Sequence, residues 1–242
     1  MAEVITEDQP RIKFQCELCD SDEAAPLSDA DEDLLRQVSS LLARAEAQGL
    51  TPLLNDGLVA GNCAALTESR LFVTVSGKRA GQAAEFVEVT GFDKAAWRCR
   101  YRRRRREDQS SRPSSDTPLL ASLLLGEAPL APGARMVLHG HALAGVGGED
   151  GDGGLDAARA LGAAISDKET LFSTPEDLAE VEKLLERHPY VPGGGFQLYV
   201  RRGHGFFLLG QNADEVAAAL GRVVLAVEEA RTAAAEEGRV SL

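Results

Sequence analysis

The segment SDADEDLLRQVSSLLARAEAQGL, residues 28–50, places Leu34, Leu35, Val38, Leu41, Leu42 and Ala45 at helical spacing. One face of a helix collects them, with Ser28 as N-cap, acids in the first turn and Gly49 as the stop. After a turn-rich stretch, NDGLVAGN at 55–62, the pattern changes. RLFVTVSG at 70–77 and EFVEVTGF at 85–92 are rich in β-branched and aromatic residues and predict two strands. AAWRCRYR at 95–102 suggests a third. A polar loop then leads into a short apolar helix starting near Asp116 or Pro118, with a proline-rich exit, and ARMVLHGH at 134–141 predicts a buried strand. STPEDLAEVEKLLERH at 173–188 predicts a helix capped by Thr174 with Pro175 in its first turn. FQLYVRRGHGFFLLG at 196–210 reads as two strand pieces around His204. A closing helix follows over 212–238, with Asn212 and Glu215 at capping-box spacing.

This order lacks a strict βαβ repeat and shows no internal repeat. We expect a single layered α/β domain over 28–242, with a mostly antiparallel central sheet flanked by helices. Residues 1–27 read as a flexible, acidic lead-in, and GVGGEDGDGG at 145–154 as a flexible acidic loop without the ligand spacing of an EF-hand.

Composition narrows the partners. With 44% hydrophobic and 26% charged residues, the chain resembles a soluble globular protein. No apolar run approaches the roughly 20 residues of a membrane helix. The start, MAEVITEDQPRIKF, lacks the basic residues and apolar core of a signal peptide, so the cytoplasm is the expected compartment. A net charge of -12 argues against an indiscriminate nucleic-acid binder. One local exception is WRCRYRRRRREDQSSR at 97–112, with eight arginines against Glu107 and Asp108. It reads either as an anion patch or as a solvated strand end that compensates acidic neighbours or a partner subunit. Four cysteines are too few for a disulfide scaffold in a chain of 242 residues. Cys16 and Cys19 form a lone CxxC, with no second pair to complete a zinc site.

The histidines carry the chemistry. In a strand, residues two apart share a face, so His139 and His141 can converge on one ion. Gly203 and Gly205 flank His204 and let its backbone come close to another element. Together the three could form an open all-histidine metal site, or they could be packed and solvated imidazoles on ordinary strands. His188 ends a helix, where it suits the dipole.

Five short motifs occur in order: Gly61-Asn62, TVSG with Ser76 and Gly77, RPSSD with Ser114, Ser115 and Asp116, HGH with His139 and His141, and GHG with His204. In this order and with these gaps the chain, from about residue 34 to about 230, resembles the class II aldolase/adducin family. The resemblance implies a divalent metal, with zinc as the expected ion, held by His139, His141 and His204. It implies Asp116 as acid/base where the family has Glu, and Gly61, Asn62, Ser76, Gly77, Ser114 and Ser115 as substrate- or phosphate-binding residues. The implied activity is that of a metal-dependent lyase or epimerase. It would act on a small hydroxy-carbonyl or sugar-phosphate substrate through a metal-stabilised enediolate. A cyclic homotetramer is implied as well. The alternative within the same family is a non-catalytic, adducin-like interaction module. Two departures stand out: Cys63-Ala64-Ala65-Leu66 follows Gly61-Asn62 where the family has Ser and then Arg, and Asp116 is one methylene shorter than Glu.

Overall fold

The computed structural model describes residues 12–23, 26–54, 56–104, 111–143 and 153–236. In chain order the elements are β1 (Gln15–Glu23), α1 (Asp29–Ala47), β2 (Gly61–Leu66), β3 (Leu71–Thr74), β4 (Phe86–Asp93), β5 (Arg98–Arg103), α2 (Thr117–Leu124), β6 (Met136–Gly140), α3 (Gly153–Ala160), β7 (Ala164–Ile165), α4 (Pro175–Arg187), β8 (Leu198–Arg201), β9 (Gly205–Gly210) and α5 (Ala213–Glu236). All nine strands join one sheet in the order β1-β5-β4-β3-β2-β6-β9-β8-β7. Pairing is antiparallel from β5 through β8, but β1–β5 and β7–β8 are parallel. The sheet is therefore mixed, which corrects the expectation of a mostly antiparallel one at both edges.

β1 and the residues before it carry the alternation that marks a strand, with Ile12, Phe14, Cys16 and Leu18 in the apolar layer and Lys13, Gln15 and Glu17 between them, whereas β7 is too short to show one. β1, QCELCDSDE, lies inside the segment expected to be a loose lead-in. It is held by its neighbour: Glu17 faces Arg98 at 3.3 Å, and the residue before the strand, Phe14, is buried in the core. β7 is only two residues long. β2, GNCAAL, begins at the end of the expected loop and is built of small residues, yet it sits centrally between β3 and β6. α3 begins at the end of the segment expected to be an acidic loop; residues 144–152 of that region lie outside the described part.

The sheet separates two apolar layers. Met136 and Leu138 of β6 pack with α1, α3 and α5, whereas Val137 packs with α2 and α4. The same alternation runs through β9, with Phe206 and Leu208 on the first side and Phe207 and Leu209 on the second. Helix starts follow the sequence: Ser28 accepts from Asp31 N–H, Thr174 from Asp177 N–H, and Asn212 from Glu215 N–H. No described helix is long and apolar enough to cross a membrane.

Residues 98–104 of the arginine run form β5 and the residue after it, while Arg112 stands in the segment before α2; Arg105 and Arg106 lie outside the described residues. Cys99 and Tyr101 point inward, while Arg98, Arg102 and Arg104 reach Glu17, Glu88 and Glu32. This is the charge-compensating reading of the run. On β1 the CxxC spacing sends its two thiols to opposite faces. Cys19 meets Thr90 Oγ1 at 3.2 Å, and all four cysteines are free.

Candidate metal centre

Strand parity gathers the polar side chains. His139 on β6 leaves the sheet on the Val137 side, toward α2 and α4, and His141 follows the same parity just past the strand end. Asn62 on β2 shares the parity of Ala64, and Arg201 on β8 that of Tyr199; both neighbours pack in this same layer. Asp116 stands directly before α2. Two glycines let the histidine segments meet. A Cβ on Gly140 would come within 2.8 Å of Leu50 O and the Phe206 ring, and one on Gly205 within 2.2 Å of Gly140 O. Only bare backbone fits there.

The result is a cluster in which His139, His141 and His204 bring ring nitrogens within 4.8 Å of one another. Among the described residues it is the one group of three or more His, Cys, Asp or Glu with such spacing. The His139 and His204 rings lie parallel with centroids 5.0 Å apart. His139 Nδ1 donates to the Phe206 carbonyl at 2.7 Å, which leaves the lone pair on Nε2. That Nε2 faces the Asp116 carboxylate at 3.4 Å, acceptor toward acceptor. His204 Nε2 is buried without a hydrogen-bond partner, 3.8 Å from the nearest Asp116 oxygen and so out of bonding range. Burial is the main cause that pushes His139 and His141 down to about 3 and His204 to about 4. All three are neutral at pH 7, the form that ligates metals. Three neutral imidazoles beside a carboxylate, with a buried orphan nitrogen among them, fit a divalent cation.

Asp116 is buried and held from several sides. Asn62 Nδ2 donates to Oδ2 at 2.6 Å, Arg201 Nη2 donates to Oδ1 at 3.0 Å, and the Asp116 N–H meets Ser114 Oγ at 3.4 Å. Although Asp116 occupies the N-cap of α2, its carboxylate makes no capping bond. Burial would raise its pKa, but Arg201, then the histidines, hold it well below the usual carboxylate range. Arg201, only 2% exposed, donates with its other nitrogen to Asp177 at 2.8 Å. Asp177 also accepts from Ser173 N–H and Thr170 Oγ1, each at 3.1 Å. The guanidinium thus ties the start of α2 to the start of α4.

The expected site residues divide into two places. His139, His141, His204, Asp116 and Asn62 come together, with Ser114 beneath Asp116 and Gly61 paired with Gly140 across the β2–β6 ladder. Ser76 and Gly77 instead line a cavity of about 580 Å³ with Arg103, Arg104 and Ser111, and no histidine lines it. Ser115 is partly exposed, and His188 is an exposed helix C-cap. Sequence reading missed Arg201, Asp177 and Phe172. A signal existed for Arg201, because in LYVR it falls on the buried parity of an apolar strand, where a cation requires acids.

No family model matches the sequence, and no relative is found among curated proteins. The fold, however, is that of solved class II aldolase domains. A sugar-phosphate aldolase from Thermotoga maritima is 14% identical with a TM-score of 0.58, covering 88% of this chain and 99% of that one. The N-terminal class II aldolase domain of a conserved protein from Thermoplasma acidophilum is 18% identical, with a TM-score of 0.51 and coverage of 85% and 96%. An L-fuculose-1-phosphate aldolase from Thermus thermophilus is 12% identical, with a TM-score of 0.50 and coverage of 87% and 99%.

Proposed function

We propose that this chain is a metal-dependent lyase or epimerase of the class II aldolase type, acting on a small hydroxy-carbonyl or sugar-phosphate substrate. One observation carries the reading: three neutral imidazoles converge beside an ionised, buried carboxylate, with the His204 Nε2 left without a partner. His139, His141 and His204 would hold the ion, with zinc the first candidate, although three imidazoles also accept manganese or iron. When bound, a divalent cation polarises the carbonyl and hydroxyl oxygens of such a substrate.

The remaining roles belong to side chains of this chain. The Phe206 carbonyl fixes the His139 tautomer and points Nε2 inward. Asp116, ionised under Arg201, carries no proton at neutral pH, so of the two acid/base roles it starts as the base. Its oxygens can accept a substrate hydroxyl proton, and the Asn62 amide and Arg201 fix where they stand. Asn62 and Ser114 are positioning residues in this reading, leaving Gly61, Ser76, Gly77 and Ser115 as substrate donors. A homotetramer in the cytoplasm completes the proposal, and light scattering on the purified protein measures the assembly.

The rival reading, an adducin-like module without catalysis, draws on the Arg201 clamp, which ties up an Asp116 oxygen that a base would use. Metal content separates the two. We expect about one transition ion per chain in protein purified without added metal or a histidine tag, and its loss in His139→Ala/His141→Ala. A folded wild-type protein that takes up no metal after reconstitution would sink the enzyme reading. With metal present, cleavage of sugar phosphates and hydroxy-ketones is the next assay.

A further inference from the structure

Beside the histidines stands an ammonium group without an acid of its own among the described residues. Lys13 Nζ lies 3.6 Å from the centre of the Phe172 ring, and Phe172 stacks on His204 with centroids 5.2 Å apart. Lys13 is half-buried and makes no hydrogen bond or ion pair with any described residue. The placement is built. Phe14 is buried next to it, Gln15 N–H donates to the Trp97 carbonyl at 3.0 Å, and Trp97 Nε1 donates to the Ser173 carbonyl at 3.3 Å. Ser173 N–H continues to Asp177, which holds Arg201. Trp97 and Ser173 both have positive φ, +48° and +62°, a conformation that non-glycine residues keep only where their surroundings impose it. A hydrogen-bonded relay therefore ties the backbone beside Lys13 to the Arg201 clamp, and the Phe172 ring sets the place of its ammonium.

Charge balance suggests what the ammonium is for. Asp116 already has a counter-ion in Arg201, so Lys13 is not needed to neutralise it. Asp116, Asp177 and Arg201 together carry one negative charge; a divalent cation reverses that sign, and Lys13 adds to it. The aromatic face of Phe172 stabilises the ammonium only in part. Burial lowers its proton affinity while Asp116 raises it, as expected for a cation at the edge of this site. Asn62 and Ser114 spend polar groups on Asp116, so they compete poorly for a substrate anion.

We propose that Lys13 is a specificity-determining residue that binds an anionic oxygen group, phosphate or carboxylate, on the substrate of the histidine site. The inference rests on the hydroxy-carbonyl reading above. The test is calorimetric binding to metal-loaded protein of three probes: dihydroxyacetone phosphate, hydroxypyruvate and uncharged dihydroxyacetone. Lys13→Met should weaken an anionic probe about ten- to a hundredfold, the range for losing a charged hydrogen bond. Uncharged dihydroxyacetone and metal per chain should not change, and Lys13→Arg should recover most of the anion affinity. The anion that loses more identifies phosphate or carboxylate. Equal affinity of Lys13→Met and wild type for both anions, an equal loss for the uncharged probe, or no anion binding by wild type overturns the proposal. Anion binding that depends on Lys13 in protein unable to hold metal would instead overturn the metal reading and leave this one standing.

Discussion

At the β1–β5 edge Arg98 meets Glu17 at 3.3 Å with side chains 43% and 49% exposed, whereas Arg201 meets Asp116 at 3.0 Å with both almost fully buried. The groups are alike, but the surroundings reverse what each pair does. Water already solvates the edge charges, so pairing them adds little, about 0–1 kcal/mol. In the interior the pair is not a source of stability either, since both ions lost their hydration on burial. It is instead an obligation: once Asp116 and Asp177 are buried as anions, Arg201 has to be there. The edge arginines adjust the charge of a strand, while the buried one fixes the geometry of a site.

Acid should break this comparison most sharply. Unfolded histidines take up protons from about pH 6.5 downward, but the folded imidazoles refuse them until about 3 for His139 and His141 and about 4 for His204. The unfolded chain therefore binds more protons across that window, and stability falls as pH falls through it, by about 1.4 kcal/mol per pH unit per group. Asp116 acts later: its contribution is full above the ordinary carboxylate range and is lost as the pH falls through that range toward its depressed folded value. Metal-free protein should thus unfold on titration from pH 7 to pH 4, as followed by circular dichroism, while His139→Ala/His141→Ala should tolerate the same acid better.

Next in size is Arg201→Met. It strands two buried carboxylates, and urea unfolding should show a loss of about 3–5 kcal/mol. Adding Asp116→Asn and Asp177→Asn should return part of that loss, because the stranded charges are gone. The smallest effect belongs to the edge. Arg98→Ser should cost under about 1 kcal/mol, and added salt should reduce even that difference. An edge substitution as costly as Arg201→Met would erase the distinction.

What the sequence disclosed follows the same division. The caps Ser28, Thr174 and Asn212 rest on local hydrogen bonds, and local patterns reveal them. The HGH and GHG motifs were visible because strand parity and glycine both leave local signatures. β2 was not, since it is a strand through its neighbours and not through its own residues, whereas β1 did carry the alternation of Ile12, Phe14, Cys16 and Leu18, masked by the acids and prolines around it. Arg201 links Asp116 to Asp177 across distant parts of the chain, a pairing that no window of sequence contains. Ser76 and Gly77 line a cavity that no histidine lines, although backbone bonds join their strand to the segment before Asp116, an adjacency that order along the chain does not state.

The parallel pairing of β1 with β5 and the seat of Lys13 against Phe172 have a consequence for biosynthesis. Lys13 leaves the ribosome well before Phe172 and His204. The N-terminal strand has to wait for β5 before it can pair, and its lysine must wait longer still for the aromatic ring and the third imidazole. Non-local parallel contacts of this kind form slowly. A nascent chain stalled before β9 would join β1 to β6 but leave β8 and β7 without their link to the sheet and the histidine cluster without His204.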